Sequence, residues 1–253
     1  MKKKIVTAAI VVVLALAGTY VVFSEPFVEE RSEVVIIGIE GSIDNFETSH
    51  QVAELIRENS VKAVVLEIDS PGGYVSSSFQ LEEAISQLSE AKPTVAIVGG
   101  SGASGAYLAA SAADNLYVHR ESRVGSLGVI AVWVSYENYY AQEGIEHFVF
   151  ETGEHKDMFA PWRGPTENEK GIIRNQLYRI KDRMILSIEN NRPSLKDNLP
   201  LSVVTGEVIR GFQAVDMNLA DGILLTNHAA VEKAAKAADL EEGEYDVVRV
   251  GSL

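Results

Sequence analysis

"VKAVVLEI", Val61 to Ile68, runs directly into "DSPGG", Asp69 to Gly73, and this join decides the fold. The run is apolar at almost every position, so neither face of the strand it would form can look at water. Two similar runs flank it: "EVVIIGIEG", Glu33 to Gly41, and "PTVAIV", Pro93 to Val98. Between them lie segments with apolar residues at helical spacing, "FETSHQVAELIREN" and a second over about Ser77 to Glu90. Fully apolar strands alternating with helices predict an α/β fold, a parallel sheet covered on both faces. Right-handed crossovers then set successive strands side by side.

Shorter elements follow. "NLYVH", "GVIAVWVSY" and "EHFVFET" read as strands and "NYYAQEG" as a short helix. From Thr166 to Asn191 a long amphipathic helix is predicted, because "TENE" supplies an N-cap and acidic first turn. Along it Ile172, Ile173, Leu177, Ile180, Met184, Ile185 and Ile188 recur at helical spacing. "NRPSLKDNLPL" breaks that helix, and the tail reads as a helix near Ala229 to Ala238 and a strand at Tyr245 to Val250. No fixed-period repeat or low-complexity linker divides the chain.

Composition narrows the function. A hydrophobic content of 46% is ample for a sizeable core. The net charge is -14, and since Lys2, Lys3 and Lys4 open the chain, everything beyond them carries -17. A nucleic-acid partner is excluded on this balance, because little would neutralise phosphates. The absence of cysteine excludes disulfides, thiolate metal sites and a cysteine nucleophile. Covalent catalysis, if present, must use Ser, Thr, Lys or a carboxylate.

Ile5 to Phe23 contains no charged residue, enough helix to cross a hydrocarbon core of about 30 Å. "ALA" at Ala15 to Ala17 would suit a signal peptidase. The apolar run nevertheless continues through Val21, Val22 and Phe23, which favours an uncleaved anchor. The three lysines would keep its start in the cytoplasm and put the rest outside. The expected organisation is an anchor or signal segment over 1–23, a connector over 24–33 and one catalytic domain over 34–253.

In an open parallel sheet, ligands bind beyond the carboxyl ends of the strands. "DSPGG" and "GGSGASGA", Gly99 to Ala106, both fall there, and they face each other if their strands are neighbours. Ser104 lies where the second turn should become a helix, with the N–H of Gly105 beside it. "GASGA" comes within one residue of the G-x-S-x-G nucleophile elbow, Ala106 standing for the last glycine. Ser101 and Ser111 are alternatives, one a turn too early and the other deep in the helix, where a hydroxyl bonds back to the chain. None of His50, His119, His147, His155 and His228 sits in a recognisable triad signature. A lysine can replace histidine when burial lowers its pKa, and Lys156, in "TGEHKDMFAPW", stands apart from the others.

"DSPGG", "GASGAYLAASAAD", "VGSLGVI", "GEHKDMFAPWR" and "VTGEVIRGFQAVDMNLADGI" occur in the order and spacing of the signal peptide peptidase A (SppA) family. The chain resembles these membrane-anchored Ser-Lys proteases of the ClpP/crotonase superfamily from roughly Val34 to Leu225. The resemblance implies Ser104 as nucleophile and Lys156 as general base. It implies Ser126 as the residue that orients the lysine, and Gly73 and Gly105 as the amide donors of the oxyanion hole. The family usually has a second glycine where this chain has Ala106. No cofactor or metal is implied. The expected partners are peptides, namely signal-peptide remnants and other short or unfolded hydrophobic chains, together with the membrane and a homo-oligomeric ring of identical subunits. "GVIAVWVSY" could line a pocket for small or hydrophobic side chains.

Three other functions remain compatible with parts of the pattern. A crotonase-type acyl-CoA enzyme would share the sheet and oxyanion hole, although acidic charge and an anchor disfavour CoA. A catalytically silent scaffold of a membrane complex would use Ser104 only as a helix cap. An α/β-hydrolase esterase would need His155 or His228.

Overall fold

The computed structural model describes residues 6–12, 21–27 and 31–250. The predicted membrane-spanning helix of the first 23 residues falls partly outside that range. Its described portions, β1 (Val6–Val12) and the start of β2 (Val21–Phe27), belong to two strands that pair antiparallel. Among the described residues no helix is long and apolar enough to cross a membrane.

The alternation expected from the apolar runs is present: β3 (Ser32–Ile43), α1 (Glu47–Leu55), β4 (Val61–Gly73), α2 (Val75–Ala91), β5 (Thr94–Ala103), α3 (Gly105–Ser111) and β6 (Asn115–Val118). There follow β7 (Arg123–Gly125), α4 (Glu137–Gln142), α5 (Glu167–Asn191), α6 (Leu201–Val204), β8 (Val208–Arg210), α7 (Gly211–Asp216), β9 (Gly222–Ile223), α8 (Asn227–Ala237) and β10 (Tyr245–Val250). The main sheet runs β10-β3-β4-β5-β6-β9, every neighbour parallel. At its upper end β5 parts from β6 and pairs instead with β7, which carries β8 antiparallel on its other side.

Strand alternation sorts the core into two layers. Val35, Ile37, Leu66 and Val98 face α2 and α3, where Leu81, Ile85, Leu88, Tyr107 and Leu108 cover them. Val34, Ile36, Ala63, Val65, Val95 and Ile97 face the alanine stripe of α8, Ala230, Ala234 and Ala235 with Val231. Burial on both faces is what the unbroken apolar runs required.

Two strands are longer than their apolar runs. Pairing of Ser42 with Gly72, Ile43 with Gly73 and Ser70 with Gly102 carries β4 through "DSPGG" and β5 to Ala103, across register shifts. The glycines predicted as turns lie within the strand ends, Gly72 at φ 95°, and the chain leaves β4 only at Tyr74 and β5 only at Ser104.

Two expected strands are absent. "GVIAVWVSY" and "EHFVFET" are irregular, with Ile130 88%, Val132 71%, Phe148 78% and Phe150 95% exposed. Among the described residues neither finds a strand to pair with, so the apolar residues that suggested burial stand in water. Helix α5 begins as predicted: the Thr166 hydroxyl accepts from Glu169 N and the Glu169 carboxylate accepts from Thr166 N, a capping box. It ends before Arg192, whose following proline disfavours helical backbone. Met184 and Ile188 are buried, but Ile172, Ile173, Leu177 and Ile180 are only half-buried.

Candidate active site

Ser104 is the first residue beyond β5, at φ 54° and ψ -123°. Both sides of the residue hold it there. Its N–H donates to the Gly125 carbonyl at 2.8 Å, and its own carbonyl accepts from Leu108 N at 3.1 Å to start α3. That backbone region strains any residue with a Cβ, by about 1–3 kcal/mol. The small residues around it are a packing requirement. A Cβ on Gly72 would lie 2.8 Å from Gly105 N and 3.0 Å from Ser104 Cβ, and one on Gly105 would collide with Ser78 Oγ. Ala106, the departure from the elbow pattern, is fully buried inside α3, where its methyl is accommodated.

Ser104, Gly105, Gly73 and Ser126 open onto one cleft of about 690 Å³. The facing strand ends thus bring together four of the five residues singled out from the sequence. Ser126 lies one residue beyond the carbonyl that holds Ser104. Its φ is 53°, and its N–H donates to Glu207 O at 2.7 Å. Leu108, Leu127, Met184 and Ile180 form apolar walls, and Val129 and Ile130 bring the start of "GVIAVWVSY" to the rim. The part played by α5 was not anticipated, because Ile180 and Met184 read from the sequence only as members of an apolar stripe.

Lys156 is the exception. It is exposed, lies in a turn where its N–H donates to Gly153 O at 3.0 Å, and does not line the cleft of its own chain. The turn is nevertheless firmly built. Arg163 donates to both oxygens of Asp157, at 2.7 and 2.5 Å, and to both oxygens of Glu169, at 2.8 and 2.6 Å. The Trp133 indole donates to Ala160 O and Arg163 O, stacks on Phe159 and lies under the Arg163 guanidinium. Hydrogen bonds from Arg163 hold the Asp157 carboxyl below its ordinary range, and with the Thr166 amide they bring Glu169 down to about 2. Burial pushes Lys92 below its usual value, but it contacts Leu55 O and Glu58 O, away from the cleft.

The alternative residues fall elsewhere. Ser101 is buried within β5, and Ser111 Oγ donates back to Leu108 O at 2.6 Å. None of the five histidines lines the cleft; His147 stacks on Trp162, and His228 meets Glu232 on the exposed side of α8. Among the described residues no group of three or more His, Asp or Glu is arranged to hold a metal ion.

A serine strained onto a strand-to-helix turn, with glycines from the end of β4 and the start of α3 lining the same cleft, is an arrangement suited to the acyl transfer of serine peptidases. Residues 86–241 match the model of peptidase family S49, and residues 26–124 match that of Clp protease. The chain belongs to peptidase family S49. A protease-named protein of Methanocaldococcus jannaschii is 30% identical over 76% of this chain and 61% of its own length. An Enterococcus faecium protein named as a signal peptide peptidase SppA is 26% identical over 77% of this chain and 57% of its own. Protease 4 of Haemophilus influenzae is 26% identical over 80% of this chain and 34% of its own. The chain therefore spans only part of the length of each of these relatives.

Proposed function

We propose that this chain is a serine endopeptidase in which Ser104 attacks the peptide carbonyl and Lys156 is the general base. The strained backbone of Ser104, opening onto the cleft beside Gly73 and Gly105, carries the reading. The Lys156 amine takes the Ser104 proton as Oγ bonds to the carbonyl carbon. The N–H groups of Gly73 and Gly105 hold the oxyanion. As the C–N bond breaks, the lysine ammonium returns the proton to the leaving amine, and water then hydrolyses the acyl-enzyme. Ser126, on the cleft beside Ser104, orients the lysine.

Lys156 reaches Ser104 from a neighbouring copy. Its position outside its own cleft supports this, as do the exposed apolar residues on both sides of its turn, Ile130, Phe148 and Phe150. Assembly into a ring of identical subunits is thereby a condition of activity. The substrates are short or unfolded hydrophobic peptides, including signal-peptide remnants, in keeping with the apolar walls Leu108, Leu127 and Met184. We further propose that the chain is held at a membrane by Ile5 to Phe23 with its catalytic domain outside. This rests on the uncharged sequence alone.

Fluorophosphonate labelling tests the core of the reading. Wild-type protein should label at Ser104 and cleave unfolded peptides, whereas Ser104→Ala should do neither while unfolding at no lower a temperature. Peptide cleavage retained by pure Ser104→Ala protein would overturn it. Extraction of the full chain by carbonate, in place of detergent only, would overturn the anchor.

A further inference from the structure

We propose that the Ser78 hydroxyl is a third donor to the oxyanion, a catalytic residue of the acyl transfer assigned to Ser104, on which the inference rests. Ser78 occupies the first turns of α2, in line with Leu81, Ile85 and Leu88, which pack into the core. A hydroxyl in that stripe is out of place unless something claims its proton. In the resting protein nothing does. Ser78 is 3% exposed, and among the described residues its Oγ has no hydrogen-bond partner.

Among the described residues, Ser78 is the one serine with a fully buried hydroxyl left in that condition. Other helical serines bond back to the chain, Ser89 to Ile85 O, Ser111 to Leu108 O and Ser49 to Phe46 O. The equivalent carbonyl for Ser78 is that of Tyr74, which accepts from Ser78 N at 2.9 Å but not from the hydroxyl. A buried hydroxyl without a partner is rare enough to require a reason.

Its position supplies one. Ser78 lines the cleft with Ser104, Gly73 and Gly105, and a turn about its Cα–Cβ bond would bring the hydroxyl, covered in the resting protein, onto the cleft surface. The point where a Gly105 side chain would begin is filled by Ser78 Oγ and lies 3.6 Å from Gly73 N. The free hydroxyl and the two amides assigned to the oxyanion therefore converge on one corner of the cleft. A neutral substrate carbonyl offers this O–H little, but the full negative charge of the tetrahedral intermediate offers an acceptor. A donor satisfied only when that charge develops lowers the barrier without tightening substrate binding, so it acts on kcat rather than KM.

The test is Ser78→Ala in the full chain, with Ser104→Ala alongside. Removal of one oxyanion donor lowers kcat by about 10²–10³-fold in a two-donor site. With both amides left in place, the expected loss is roughly 10- to 100-fold in kcat and in the fluorophosphonate labelling rate. KM should stay within about twofold, labelling should still go to completion, and the unfolding temperature should not fall. A kcat within about twofold of wild type, or a rise in KM at constant kcat, overturns the proposal. So does a rate loss matched by incomplete labelling or lower thermal stability, which would mark Ser78 as packing only. Failure of the Ser104 reading is a separate result, seen as turnover or labelling that survives Ser104→Ala.

Discussion

Arg163 grips both carboxylate oxygens of Asp157, the residue that follows Lys156 in the chain. The same guanidinium grips Glu169 in the first turn of α5. The turn that bears the proposed base is thus fastened to a long helix by one side chain, and the carboxylate next to the lysine in the chain is already engaged.

This clamp should be visible in the pH dependence of stability. Glu169 is held at about 2 against an ordinary 4.5, and Asp157 is held down in the same way by Arg163. A carboxyl whose folded value is depressed contributes stability above its unfolded value, and that stability is lost as pH falls through the folded value. Arg163→Gln should therefore unfold at a lower temperature than wild type at pH 7, and the difference should shrink between about pH 4.5 and 2. Thermal unfolding across that range checks it. A difference independent of pH would mean that Arg163 acts only through packing on Trp133.

Ser104 itself should trade stability for function. Its φ of 54° and ψ of -123° suit glycine, so Ser104→Gly relieves strain while losing the hydroxyl. After the entropic penalty of a glycine in the unfolded chain, a net gain of about 1 kcal/mol is expected, or roughly 2–4 °C for a chain of this size. Calorimetry should find the variant inactive and more stable. An inactive variant of lower stability would show that the serine side chain supports the turn.

The central strands were readable because burial on both faces forbids polar residues, and that constraint is written directly into Val34 to Ile39, Ala63 to Leu66 and Val95 to Val98. The turn at Ser104 was readable for a related reason, since a strained turn permits only small neighbours. The segment from Gly128 to Thr152 misled because apolar residues were equated with burial inside one chain. The fastening of the Lys156 turn was hidden for another reason. "TENE" announced the cap at Thr166, but nothing local ties Arg163 to Asp157 and Glu169, since such a bond depends on how the chain folds back. Ser78 did leave a sign, a serine at a core position of the α2 stripe, visible only once the register of that helix is fixed.

The cap of α5 offers a local test of how the Lys156 turn is supported. Thr166 Oγ accepts from Glu169 N at 3.2 Å and donates to the same residue's carboxylate at 3.0 Å. Thr166→Ala should cost about 1 kcal/mol, and Thr166→Ser should restore most of it. Hydrogen exchange should quicken over the first turn of α5 in the alanine variant. Unchanged exchange there would mean that Arg163 alone fixes the helix start.

The proposed sharing of the dyad between copies gives the sharpest prediction. Lys156 does not line the cleft that holds Ser104, and Ile130, Phe148 and Phe150 stand exposed on the segments around it, at 88%, 78% and 95%. Apolar area of that kind, covered by a second copy, contributes about 25 cal/mol per Å² buried and would drive assembly. Ser104→Ala and Lys156→Ala proteins should each be inactive. Once mixed under conditions that exchange subunits, they should regain activity, because some interfaces join an intact serine to an intact lysine. Phe150→Asp should shift the protein toward monomer and lose activity with it, as read by light scattering and peptide cleavage on the same samples. Mixed variants that stay inactive while exchanging subunits would place the base within the same chain as Ser104, and an active Phe150→Asp monomer would do the same.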